Sequence, residues 1–532
     1  MRRERNLRVG RITFSMICVL GLFGVCGVRL AVLTLPSEAA AAARENASLS
    51  VELTETRGNI YDARFLPLTG SEEQYYIAAA PTEQAAVSLS AALDETEARM
   101  ALSRLEEGRP AVVTGSEPVV GTGLTSVLLP VRYSGLAAHL IGYLNGEGHG
   151  AAGIEKDFDA LLYQGEDVKI RYTVSATGEI LPGVTPEVVL PAVSNDGVVL
   201  TIDREIQQIC ETAAETIASG AVVVMRVSTG EVVSMVSRPD FLQTDVAASL
   251  DDPDAPFLNR ALTAYNVGSV FKPLVVAAAL ESGADENLTV DCTGSVEVGG
   301  RFFACHKSEG HGRVNFRQAV AQSCNSFFYT LSMGSDAQSW LNLCKKCGLD
   351  SPIILSGSVI SDAGVLPAAE DLTSPAAAAN FAIGQGELML TPLHVAGIYS
   401  ALANRGVANT PHVLKGVLVG GNFVGYEGVG SRRVCTAAVA DKVCEFLRAT
   451  VEEGTGSEAK PKNTTAAGKT ATAESGWSND GAAVDHAWFA GFFPAEAPEY
   501  TVVVVKENGL SGSADCAPVF KEIAEEITEL GR

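Results

Sequence analysis

From Ile12 to Val28 the chain carries no charged side chain, and beyond Arg29 the apolar run resumes to Leu35. About 20 apolar residues suffice to cross a bilayer, and a helix does so because it satisfies its own backbone polar groups in hydrocarbon. The run therefore predicts one membrane-spanning helix over residues 12–35, with the long Arg29 side chain snorkelling, preceded by a short tail of residues 1–11. Arg2, Arg3, Arg5, Arg8 and Arg11 stand against a single Glu4 in that tail. By the positive-inside rule the tail is cytoplasmic and everything after the span lies outside. Small residues at 39–43 make a cleaved signal peptide the rival reading. The apolar run is longer than a usual signal core, which favours a retained anchor.

With the arginines gathered at that end and a formal net charge of −24, the rest of the chain is strongly acidic. Nucleic acid is not an expected partner, because phosphate neutralisation needs clustered Lys and Arg. A length of 532 residues implies two to four domains, and 47% hydrophobic against 19% charged residues implies folded material. Of eleven cysteines, Cys18 and Cys26 lie in the span. The odd number outside cannot all pair within the chain. Cys292 and Cys305 flank a short loop and could bridge. Cys344-Lys-Lys-Cys347 has no second pair and no nearby histidine, so it reads as two unrelated thiols. No metal and no cofactor is expected.

Residues 36–196 alternate short β-like runs with polar and glycine-rich connections and read as a mixed, β-rich domain. Gly148-His-Gly-Ala-Ala-Gly153 matches a dinucleotide-loop spelling but lacks a βαβ setting, and reads as an ordinary loop. From Gly197 the texture changes. Residues 198–202 predict a strand, and residues 203 to about 217 a helix capped by Asp203. A hairpin follows over 221–225 and 231–236, and three more strands are predicted at 466–473, 486–493 and 500–506 before a last helix at 517–530. The α+β pattern is a five-stranded antiparallel sheet flanked by helices and built from both ends of residues 197–532, with a mainly helical insertion between.

Three short segments carry chemistry. In Asn266-Val-Gly-Ser-Val-Phe-Lys-Pro273, Ser269 precedes Lys272 by three residues, at the mouth of an apolar helix that ends at Glu281-Ser-Gly283. Positions three apart share a helical face, so the Lys272 amine is expected to reach the Ser269 hydroxyl. A lysine desolvated by apolar neighbours is a competent base for such a nucleophile. The bland alternative is a helix-capping serine and a solvent-facing lysine. Ser323-Cys-Asn325 places a serine and an asparagine on one tight turn, or is merely a polar joint between helices. Ala467-Gly-Lys-Thr-Ala-Thr-Ala473 is not a phosphate loop, because Asn463 stands where that pattern needs glycine. It puts Lys469 and Thr470 on a strand beside a cleft.

In this order the three segments resemble the penicilloyl serine transferases, and the wider context resembles a class B penicillin-binding protein. Arg57-Gly-Asn-Ile-Tyr-Asp62 and Gly153-Ile-Glu-Lys-Asp-Phe158 are similar to the family's pedestal motifs. Leu200-Thr-Ile-Asp203, Asn259-Arg260, Gly310-His-Gly312, Gly384-Gln-Gly386 with Thr391-Pro392, and Ala487-Trp-Phe489 are similar to motifs of its transpeptidase domain. The resemblance implies a pedestal at 36–196 and a β-lactamase-like transpeptidase domain at 197–532. It also implies cross-linking of peptidoglycan stem peptides through a serine acyl-enzyme, inhibited by β-lactams. Ser269 would be the nucleophile and Lys272 its base. Ser323 would pass a proton to the departing D-alanine, and Asn325 would bind the substrate amide and order Lys272. Lys469 would supply positive potential, Thr470 would bind the terminal carboxylate, and the N–H groups of Ser269 and Thr472 would form the oxyanion hole. Ala471 departs from the family's glycine, where a methyl is expected to tighten or tilt the substrate contact, and Val267 stands where proline is usual. Nothing resembles a glycosyltransferase, so a separate polymerase in the membrane is the expected partner. A serine β-lactamase, or a weakly catalytic β-lactam receptor or scaffold, are the alternative functions.

Overall fold

A computed structural model describes residues 2–34, 48–93, 95–175, 177, 179–181, 183–191, 195–426, 430–479 and 482–531. Residue 35, the small residues at 39–43 and the first residues of the predicted pedestal lie outside them. The N-terminal helix runs Arg2–Thr34, and its Ile12–Ala31 stretch, with a mean hydropathy of 2.0, is long and apolar enough to cross a membrane.

Two compact units interleave along the chain. Residues 1–56, 74–129 and 165–192 form the first, and residues 57–73, 130–164 and 193–532 the second. The first unit has the short strands its alternating sequence predicts, in one sheet ordered Ser48–Arg57, Tyr163–Thr173, Glu187–Val189 and another ordered Ala111–Gly115, Thr69–Ala79, Leu124–Tyr133. It also holds two helices, Glu83–Ala92 and Glu95–Glu106, that strand periodicity does not reveal. The Thr82 hydroxyl caps the former by accepting from Ala85 N at 3.2 Å.

The two pedestal-like motifs pack inside the second unit. Arg57 donates to Glu155 at 2.8 Å and to Asp159 at 2.7 Å, and Arg132 also reaches Glu155, which is fully buried. These contacts give a carboxylate removed from water the hydrogen-bond partners it would otherwise lose. The strand Gly197–Leu200 does not enter the central sheet. It lies in a four-stranded sheet, parallel to Asn59–Tyr61 and antiparallel to Leu414–Val419.

The core of this unit starts with helix α1 (Arg204–Ala213), whose cap Asp203 accepts from the N–H groups of Glu205 and Ile206. The predicted helix to 217 stops early because its last turn tightens into a 3-10 segment, Ala214–Thr216. Strands β1 (Gly220–Arg226) and β2 (Val232–Arg238) form the predicted hairpin. Helix α2 (Lys272–Glu281) ends as expected, with Gly283 at φ +86° just beyond its cap. Helices α3 (Phe316–Ala321), α4 (Asn325–Gly334), α5 (Pro392–Ala403) and α6 (Ala437–Glu453) continue the insertion. Strands β3 (Ala467–Asn479), β4 (Ala482–Phe493) and β5 (Tyr500–Lys506) and helix α7 (Ala517–Glu529) close the unit.

The five strands pair antiparallel in the order β2-β1-β5-β4-β3, so both ends of the domain meet in one sheet and β3 is its edge. Both faces are covered. Val223, Val503, Val505 and Trp488 point into the core shared with α2, α4 and α5, while Val222, Val224, Val502, Val504 and Phe489 point into the core under α1 and α7. This alternation explains why the inner strands read as unbroken valine runs.

Candidate active site

The serine segment folds as a 3-10 turn, Gly268–Phe271, running directly into α2. Ser269 is not a helix cap, which removes the bland reading for it. The turn is pinned from three sides. Gly268 N donates to Gly384 O at 3.0 Å, Tyr399 Oη donates to Val270 O at 2.9 Å, and Trp488 Nε1 donates to Asn266 O at 3.0 Å. A Cβ at Gly384 would stand 2.0 Å from Gly268 O, so the Gly-Gln-Gly segment serves by allowing backbone to touch backbone. Gly268, at φ +56°, backs onto β3, where a Cβ would meet Ala473 Cβ at 3.2 Å. Val267, in proline's usual place, is fully buried with φ −102°.

Lys272 is entirely buried, so it does not face solvent. Its Nζ donates to Asn325 Oδ1 at 2.7 Å, Ser323 O at 3.0 Å and Ser323 Oγ at 3.2 Å, and it lies 5.0 Å from the centre of the Phe328 ring. Burial pulls its amine down to about 7. The expected direct contact between Lys272 and Ser269 is replaced by a bridge. Among the described residues no hydrogen bond joins them, and Ser323 Oγ, held by Lys272, donates to Ser269 Oγ at 3.1 Å. The bridge depends on an unusual backbone, because Ser323 sits at φ +54° between α3 and α4. A non-glycine residue in that region costs roughly 1–2 kcal/mol, which the surrounding contacts must offset.

Across the sheet edge, β3 runs Lys469-Thr-Ala-Thr472 in register with Ala490, Phe489, Trp488 and Ala487 of β4. Lys469 is also fully buried, with Nζ donating to Thr470 O at 3.0 Å. Burial first, and then the nearby charge of Lys272, hold its amine well below the usual lysine range. Thr470 Oγ1 is 2.9 Å from Thr455 Oγ1, and Thr472 is exposed. Ala471 is 4% exposed and belongs to the core around Trp488 and Ala473. Its methyl packs into that core.

Two contributors, Tyr399 and Thr455, were not picked out in the sequence, while Gly384 and Trp488 were visible as members of the Gly-Gln-Gly and Ala-Trp-Phe motifs without a role at the nucleophile turn. The Gly454-Thr-Gly456 spelling was the available signal for Thr455, whose N–H ties the loop to Ala321 O at 3.0 Å. Cys292 and Cys305, which the sequence allowed to bridge, are both free thiols, each 3.5 Å from His311 Nδ1.

A sheet closed by both chain ends, a serine on a turn leading into a helix, a serine-asparagine turn and a lysine on the sheet edge are the architecture of a penicillin-binding transpeptidase domain. The sequence profile of the penicillin binding protein transpeptidase domain matches residues 220–525, and the chain belongs to that family, as a class B penicillin-binding protein. It is similar to the peptidoglycan D,D-transpeptidase PbpA of Mycobacterium tuberculosis, 30% identical over 338 residues that cover 58% of this chain and 66% of that one. It is also similar to the stage V sporulation protein D of Bacillus subtilis, 28% identical over 75% of this chain and 64% of that protein. The chain thus matches just under two thirds of each of these relatives' lengths. Penicillin-binding protein 2 of Helicobacter pylori has the same fold, with a TM-score of 0.68 at 23% identity over 91% of this chain and 99% of that one. So has penicillin-binding protein 3 of Mycobacterium tuberculosis complexed with aztreonam, with a TM-score of 0.66 at 23% identity over 90% and 97% of the two chains.

Proposed function

We propose that this chain is a membrane-anchored peptidoglycan D,D-transpeptidase that works through an acyl-enzyme on Ser269. The observation that carries the reading is the chain of contacts from Ser269 Oγ through Ser323 Oγ to a buried Lys272 amine. A nucleophilic hydroxyl needs a base within hydrogen-bond reach, directly or through one relay. As Ser269 Oγ bonds to the penultimate D-alanine carbonyl carbon, its proton moves through Ser323 to Lys272. The negative charge on the tetrahedral oxygen is met by the N–H groups of Ser269 and Thr472, each worth about 3 kcal/mol in acyl transfer. The carbon–nitrogen bond then breaks, and the departing D-alanine amine takes the proton back through Ser323. An amine from a neighbouring stem attacks the acyl carbon, loses a proton to the same relay and restores the Ser269 hydroxyl. Asn325, already fixed on Lys272, orients the substrate amide, and Lys469 with Thr470 binds the terminal carboxylate.

The arginine-rich tail supports a cytoplasmic N-terminus and an extracytoplasmic site, where the stem peptides lie. The relatives' names and the aztreonam complex of a similar fold support peptidoglycan as substrate and β-lactams as ligands. A separate membrane glycosyltransferase would supply the glycan strands.

The full-length protein in detergent should form a long-lived adduct with a fluorescent penicillin. Given a donor stem peptide and an acceptor amine, it should yield cross-linked product. Hydrolysis alone in the presence of acceptor overturns the cross-linking reading. Rapid turnover of the adduct assigns a β-lactamase, and no adduct assigns a scaffold.

A further inference from the structure

Helix α5 is buried along its whole length except at Gly397. A Cβ placed on that glycine would meet nothing within 4 Å, although its neighbours Ala396 and Ile398 are packed in the core. Glycine weakens a helix interior relative to alanine, and a filled core would place a side chain here. What Gly397 leaves open is a cavity of about 400 Å³, within the range of small-molecule sites. Its apolar lining comes from Leu349, Ile353, Ala408 and Pro411, and Ile354 beside them is 66% exposed.

The charged lining is Lys345, Asp350 and Arg432. Lys345 lies in the last turn of the helix Ala337–Lys346, while its neighbour Lys346 turns to Val434 O at 3.0 Å. Arg432 stands opposite Ala408 in the strand pair Val407–Asn409 and Ser431–Arg433, and its guanidinium lies over Gly348, which has no room for a Cβ beneath it. Among the described residues neither Lys345 nor Arg432 pairs with a carboxylate. A helix C-terminus attracts cations, which accounts for their nearness but not for the open apolar space beside them. His394 adds no charge. Its Nε2–H donates to Ser351 O at 3.0 Å, its Nδ1 is 2.9 Å from Thr391 Oγ1, and burial lowers its pKa. Two cations against one carboxylate leave a single positive charge on the lining.

We propose that this cavity binds a compact apolar monocarboxylate, its body over Gly397 and its carboxylate between Lys345 and Arg432. Arginine and lysine hydrogen bonds to a carboxylate are charge-assisted, and the apolar lining rewards burial of the rest of the ligand. The site is separate from acyl transfer. Residues two apart on a helix point about 200° apart, so Gly397 faces away from Tyr399, whose hydroxyl holds Val270 O of the nucleophile turn.

Naphthoate is the probe, titrated calorimetrically into full-length protein in detergent with the detergent heat subtracted. It should bind saturably at one site per chain, and the uncharged naphthamide should bind about tenfold more weakly or worse. Arg432→Gln, an exposed change, should weaken naphthoate by about tenfold. Gly397→Leu should abolish binding by filling the cavity; because that variant can misfold, Arg432→Gln is the deciding one. Lys469→Gln should leave the naphthoate affinity unchanged. Absence of saturable binding, equal binding of the amide, or indifference to Arg432→Gln overturns the site. A loss of affinity in Lys469→Gln places the carboxylate in the acyl-transfer cleft and overturns it as well.

Discussion

The two walls of the site are built on opposite principles. On the serine wall the site residues are already linked to one another: Lys272 makes three hydrogen bonds, Ser323 bridges to Ser269, and three donors from distant segments meet or pin the Ser269 turn. On the strand wall Lys469 makes one hydrogen bond, to its neighbour's carbonyl, and β3 is a sheet edge. Both lysines are fully buried. The difference teaches that one wall holds its polar atoms within hydrogen-bond reach of one another before substrate arrives, so that only hydroxyl and amine protons need to turn. The other keeps an under-partnered amine that gains most when a carboxylate arrives.

This contrast can be broken by experiment. Ser269→Ala should abolish the covalent penicillin adduct altogether, as read by gel fluorescence and intact mass; a residual adduct would move the nucleophile elsewhere. Lys272→Gln would remove the proposed base and should slow acylation by roughly 10²–10⁴-fold in stopped-flow measurements while the fold persists.

In the wild-type enzyme, acylation should depend on pH through the same amine. Lys272 must be neutral to accept a proton, and burial pulls it down to about 7, so the rate is full above that value and falls about tenfold per unit as pH drops below it. An acylation limb near pH 10 would break the claim that burial tunes this lysine.

Lys469→Gln would remove the proposed hydrogen bond to the ligand carboxylate, worth about 1.5–3 kcal/mol when charge-assisted. It should lower acylation efficiency roughly 10–100-fold for carboxylate-bearing β-lactams through weaker binding, with the Lys272 pH limb unmoved. A shift of that limb would show that the two walls are one electrostatic unit. Ala471→Gly should have the smallest effect, a stability loss of about 0.5–1 kcal/mol by thermal unfolding and acylation within about threefold, because its methyl is a core contact. A large gain in acylation would return that methyl to the substrate face.

Much of this protein was determined by sequence alone, because the information is local. A charge-free run makes an anchor, valine alternation makes sheet strands, and Asp203 and Gly283 bracket their helices through backbone geometry that neighbours cannot override. The order of the three short segments named the serine, the lysines and the asparagine.

Tertiary structure decided what links them. Ser323 stands between Ser269 and Lys272 only because a φ of +54° turns it there, and no spacing rule contains that angle. The pedestal-like motifs join the second compact unit because Arg57 finds Glu155 and Asp159 about a hundred residues away. Tyr399 enters by a long-range contact that no local pattern announces. The thiol cluster is the sharpest case. Its four side chains, Cys292, Cys305, His311 and Cys324, stand apart in the sequence, and strand pairing with a glycine at close approach brought their polar atoms within 4.8 Å of one another. Helix caps and strand faces depend on neighbouring residues; hydrogen-bonded bridges between distant segments depend on distances across the fold.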